Sequence, residues 1–172
     1  MTSQDPQPPT ARLASPTALP ADSPAALAHR HWRRQVSRAL ARRSPEADFP
    51  APSVWLLLLT EDGGSSQTVE LTDAGPLPDD GCGPRVEQWG ELLGLLAGPV
   101  RAGAEPGSPV VLSVLRTRPG GGPATREDLR WLETLEEAAE SAGLPCVLRC
   151  FASRDLFRVL DRDDPAGVAR SA

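Results

Sequence analysis

Residues 110–128 restrict the fold more than any other part of this chain. Val110, Val111, Leu112, Val114 and Leu115 make an almost unbroken apolar run, and Arg116-Thr117-Arg118-Pro119 follows it. Gly120-Gly121-Gly122-Pro123 comes next, then Thr125 with Asp128 three positions on. A short, β-branched apolar run is a strand buried on both faces. Glycine and proline end it, and a threonine followed three residues later by an acid caps a helix. Strand, loop and helix in that order belong to a sheet with helices laid against it. Strand ends of this kind often carry chemistry, because backbone and side chains converge there. At the strand end expected after Leu115 stand two arginines, with no histidine, cysteine or carboxylate before Glu127.

The rest of the chain supplies partners for that unit. Residues 54–60 are a second continuous apolar run, Glu61-Asp62-Gly63-Gly64 is a turn, and residues 67–71 alternate like the outer strand of a hairpin. A helix opening at Pro84, with Val86, Trp89, Leu93 and Leu96 on its apolar face, is expected to close at Gly98-Pro99. Residues 125–142 read as the best-defined helix, with Leu129, Leu132, Leu135, Ala139 and Ala142 toward the core and Gly143 ending it. Residues 146–151 are a third buried strand and residues 157–160 a short edge strand. Hairpin and crossover connections together predict an α/β fold with a single mixed β-sheet and flanking helices.

Three segments precede that domain, taken as residues 53–160. Residues 1–22, rich in Pro, Ala, Ser and Thr, are expected to be a disordered arm. Residues 23–44 read as a basic amphipathic helix opened by Ser23-Pro24 and marked by Leu27, Trp32, Val36, Ala39 and Leu40. Residues 45–52, with Pro45, Pro50 and Pro52, read as a linker, and residues 161–172 as a flexible acidic tail.

The net charge of −5 hides an asymmetry. Residues 1–44 carry seven Arg against Asp5 and Asp22, or +5, and the remainder is −10. A basic segment thus precedes an acidic body, which is a poor general surface for nucleic acid. All 18 basic residues are Arg. Arg30, Arg33, Arg34, Arg38, Arg42 and Arg43 crowd the N-terminal helix with no acid among them; they either dock on the acidic body of this chain or stay solvated, contact nucleic-acid phosphates, for which they are the candidate residues, or meet another anionic partner. No apolar run approaches the roughly 20 residues of a membrane span, and the start of the chain has no apolar signal-peptide core. Three unclustered cysteines, Cys82, Cys146 and Cys150, predict a reducing, cytoplasmic setting. Cys146 and Cys150, four apart on one strand, are expected on the same face.

Most catalytic schemes lack their residues. The only histidines, His29 and His31, lie in the basic helix, so a body separated from it has no imidazole for base catalysis or metal binding. The glycine run has neither the lysine nor the spacing of a phosphate-binding P-loop. It does precede a helix N-terminus, where anions bind. Arg116, Arg118, Gly120, Gly121 and Asp128 are therefore the candidate anion or ligand pocket, with Arg126 beside them. Glu133, Glu136, Glu137 and Glu140 read as a solvated helix face, and Asp161, Asp163 and Asp164 as a polar tail.

The frame resembles the JAB/MPN metalloprotease-like fold, in the branch of bacterial RadC-like proteins, over about residues 46–160. Trp55-Leu56-Leu57-Leu58-Leu59 is similar to its first apolar strand, and Pro84-Arg85 to the start of its helix. Arg116-Thr117-Arg118-Pro119 stands in the place of its His-x-His-Pro motif, and Thr125 and Asp128 keep the spacing of its Ser/Thr and Asp. The resemblance implies a three-layer fold with the metal motif lost. Arginine stays protonated and is no zinc ligand, and the family's glutamate falls near Pro52 or Ser53. The expectation is a non-catalytic domain, holding no metal or cofactor, that works as a binding or scaffold module with a protein partner. Two alternatives stand beside it: a nucleic-acid-associated protein using the arginine-rich helix, and a small hydrolase built on unrecognised Asp or Glu residues.

Overall fold

The computed structural model describes residues 20–41, 48–77 and 85–161. The Pro/Ala-rich arm up to residue 19, Arg42, Arg43, Cys82, Pro84 and most of the tail lie outside them. The elements, in chain order, are α1 (Pro24–Ala41), β1 (Ser53–Thr60), β2 (Ser66–Leu71), α2 (Val86–Ala102), β3 (Val110–Thr117), α3 (Arg126–Ser141), β4 (Cys146–Ser153) and β5 (Leu156–Val159). The strands form one sheet in the order β2-β1-β3-β4-β5. Only the β3–β4 pair is parallel, and α3 is its crossover. The predicted α/β class with one mixed sheet and flanking helices is what the chain adopts.

Alternation along the central strands divides the core into two layers. Val54, Leu56 and Leu58 of β1, with Val110, Leu112 and Val114 of β3, face α2 and α3, where Leu93, Ala97, Leu132 and Leu135 meet them. Leu57 and Leu59, with Val111 and Leu115, face the opposite way onto Ala28, Trp32 and Val36 of α1. Both faces are covered, which is why these strands read as continuous apolar runs rather than alternating ones.

The N-terminal helix is therefore the third layer of the fold and not a separate arm. Trp32 is fully buried, and its indole Nε1 donates to Ser113 Oγ at 2.8 Å. That hydroxyl in turn donates to the Leu148 carbonyl at 2.9 Å. The span read as a linker is partly structural too. Phe49 is buried among the residues under α1, and the Pro52 carbonyl accepts the Ala74 amide at 2.8 Å.

Two element ends and one strand register differ from the sequence reading in ways that bear on the site. α2 runs through Gly98-Pro99 to Ala102. Pro99 sits on the exposed side, and Val100, 2% exposed, docks the last turn on the core. β3 continues past Leu115 to Thr117, so Arg116 is a strand residue. In β4 the register with β3 shifts between Cys146 and Leu148. This bulge reverses the parity of the strand, so Cys146 packs on the α2/α3 side and Cys150 under α1. The two thiols thus face opposite layers.

Candidate functional site

The alternation that buries Val110, Leu112 and Val114 also carries Arg116 into the layer beneath α3. Its guanidinium is 1% exposed and sits 5.8 Å from the Trp131 ring centroid. Burial of that charge is costly unless every side of it is met. Arg116 Nε donates to Asp128 Oδ1 at 3.0 Å and Nη1 to the Ala74 carbonyl at 2.8 Å. Glu127 Oε1 lies 3.8 Å from Nη2.

Asp128, also 1% exposed, joins two structures. It is the third helical residue of α3, and its Oδ2 accepts from the Thr125 amide at 2.9 Å and from the Thr125 hydroxyl at 2.8 Å. The Asp128 amide donates back to Thr125 Oγ1 at 3.3 Å, completing a capping box. The same Oδ2 accepts from Arg118 Nε at 3.2 Å. Arg118 Nη2 donates to the Pro123 carbonyl at 3.1 Å, and its guanidinium lies 5.8 Å from the Phe151 ring centroid. One carboxylate thus caps a helix and takes two arginines.

The glycine loop is also engaged from within. The Gly120 amide donates to Asp48 Oδ2, and the Gly120 carbonyl accepts from the Arg154 amide at 3.0 Å. The Gly122 carbonyl accepts from Ser153 Oγ at 2.9 Å. A Cβ at Gly121 would meet the exposed Asp155 carboxylate, which would have to turn aside. Gly120 and Gly122 have φ of 81° and 95°, the left-handed region glycine tolerates. Of the five pocket residues read from the sequence, Arg116, Arg118 and Asp128 come together. Gly120 is joined instead to Asp48 and to the turn after β4, and Gly121 lies beside Asp155 of that turn. Arg126 is exposed at the start of α3.

The basic helix presents the opposite picture. Arg30, Arg33, Arg34 and Arg38 are all exposed, and none forms an ion pair among the described residues. Arg30 reaches the Ala21 carbonyl at 2.7 Å. Docking of α1 also brings both histidines onto the sheet, against the expectation of a body without imidazole. His31 Nε2 is 3.1 Å from Thr68 Oγ1 on β2, and the His29 ring lies 5.7 Å from that of Phe157 on β5. Burial, then the neighbouring Arg33 and Arg30, hold His29 below the ordinary imidazole value. Burial, then Arg34 and Arg38, do the same to His31. Neither ring is hydrogen-bonded to a carboxylate or thiol among the described residues.

The thiols are suppressed. Burial, reinforced by the nearby Glu136 carboxylate, pushes Cys146 up to about 12, and burial raises Cys150 further. A thiol held in that form is a poor nucleophile and a poor metal ligand. No group of three His, Cys, Asp or Glu side chains is arranged to hold a metal among the described residues. On the outer face of α3, Glu133, Glu137 and Glu140 are exposed, and Glu136 accepts from Arg149 Nη1 at 2.9 Å. No described helix is long and apolar enough to cross a membrane.

Sequence reasoning missed four participants: Asp48, Ser113, Ala74 and Trp131. Ser113 carried a signal, since a lone hydroxyl inside an apolar strand needs a buried partner. The Ala74 carbonyl carried none, because a backbone acceptor in a loop has no sequence signature. The chain matches no protein-family model, no curated protein and no solved structure.

Proposed function

We propose that this chain is a non-catalytic, metal-free binding module of the JAB/RadC-like kind. The observation that supports the reading is the convergence of Arg116 and Arg118 on Asp128. The one buried carboxylate at the strand end already pairs with two permanent cations and caps α3. A divalent ion brought there would have to displace or repel both guanidiniums, and arginine offers no lone pair to replace them. The buried thiols and the unassisted histidines give no alternative nucleophile or base. What the surface offers instead is a folded frame with outward-facing charge.

Zinc binding tests the reading. The purified protein is incubated with excess zinc, dialysed, and its metal measured by plasma mass spectrometry. Far less than one zinc per chain is the expected result. Stoichiometric zinc that is lost in Asp128→Asn would overturn it.

A further inference from the structure

We infer that the outer face of α1 binds the sugar-phosphate backbone of a nucleic-acid duplex, without reading its sequence. The inference names the partner of the module proposed above and rests on that reading. Arg30, Arg34 and Arg38 stand at intervals of four, so they form one stripe of about 12 Å along the helix at roughly 1.5 Å per residue. Arg33 lies beside it. All four are exposed and free of acidic partners among the described residues, and α1 contains no acid. Arg42 and Arg43 follow directly in the sequence.

Three observations narrow the partner. A helix that lies on a membrane must bury its apolar face in lipid. The apolar face of α1 is already spent on the sheet, with Ala28 and Trp32 fully buried. A protein interface is normally anchored by apolar or aromatic side chains at its centre. The large hydrophobic side chains exposed among the described residues are Leu95 and Val159, and neither is on α1. Binders of single strands stack bases on aromatic rings. Trp32 is buried, and His29 and His31 are turned onto β5 and β2. What is left is unpaired, fixed positive charge, which suits a regular polyanion. The −10 body confines the contact to this one face.

The test is fluorescence anisotropy with the full chain and a labelled mixed-sequence duplex, titrated at several salt concentrations. Four phosphate contacts give a log–log salt slope of about −3.6, or roughly a hundredfold loss of affinity between about 50 and 200 mM salt. The variant Arg30→Gln/Arg34→Gln/Arg38→Gln is expected to bind at least about tenfold more weakly, with a slope shallower by about three units. Its melting temperature should match that of the parent, since the three side chains are exposed. Arg101→Gln/Arg126→Gln, on the body, should bind like the parent. No duplex binding at low salt overturns the inference. So do salt-insensitive binding, an unaltered triple variant, tighter binding to a single strand of thymidines, or preference for phosphatidylserine vesicles over the duplex. Failure here with zinc still absent leaves the module reading intact. Zinc uptake with duplex binding intact sinks only the earlier reading.

Discussion

Two groups of arginines in this molecule have opposite fates. Arg116 and Arg118 lie at the end of β3, one fully and one largely enclosed, and share Asp128. Arg30, Arg33, Arg34 and Arg38 stand on the outer face of α1 in solvent with no acid beside them. The difference is topological. A strand in the middle of a sheet presents both its faces to covering layers, so a charge on it must be met inside the protein. A helix laid over the sheet presents one face inward and leaves the other to water. The inner pair is thus committed to holding the structure, and the outer group is available to something else.

The comparison is broken most sharply at Asp128. Asp128→Ala should strip the buried Arg116 of its one buried carboxylate partner and cost about 3–5 kcal/mol, read by urea unfolding. A near-neutral result would mean that the inner arginines reach solvent. Trp32→Ala comes next, at about 3–5 kcal/mol for a lost core aromatic. A freely attached arm would show no change. Thr125→Ala should cost about 1 kcal/mol through the cap of α3, measured the same way.

Acidification gives a smaller effect. His29 and His31 both sit below their ordinary value of 6.5 in the folded chain. The unfolded chain therefore binds more protons there, and stability is lost as pH falls from about 6.5 through the lowered folded values. Thermal melts across that window should show the decline, and His29→Gln/His31→Gln should flatten it. The smallest effect belongs to the outer group. Arg30→Gln/Arg34→Gln/Arg38→Gln should change unfolding free energy by no more than about 0.5 kcal/mol. A large loss there would erase the distinction between the two groups.

Much of this architecture was legible in the residues. The continuous apolar runs, the Glu61-Asp62-Gly63-Gly64 turn and the Thr125–Asp128 cap all mark their elements, because each is a local physical requirement. The docking of α1 was legible only as one alternative, an attraction of its arginines to the acidic body; the contact it makes is apolar, and with prolines at 45, 50 and 52 reading as a linker nothing local says where a helix returns. The strand end was misplaced by two residues because arginine is normally a surface residue. Its partner, twelve positions away, lies across a loop whose path the sequence does not show. The opposed cysteines depend on a bulge at Val147, where an extra residue has no compositional mark. Convergence of Arg116, Arg118 and Asp128 was expected as a ligand pocket, and became an internal ion cluster once their partners were visible.

The bond from Trp32 to Ser113 settles more than the position of a helix. A cylinder resting on a flat apolar sheet can roll, and each residue of roll turns it by about 100°. The indole donates to a hydroxyl at the centre of the sheet, which marks one angle of that roll. At any other angle the buried indole N–H loses its acceptor, and an arginine is turned under the helix. Ser113 thereby acts as an index mark that decides which side chains the molecule shows to the outside. Changing it to alanine would remove that mark from beneath a surface the serine never touches.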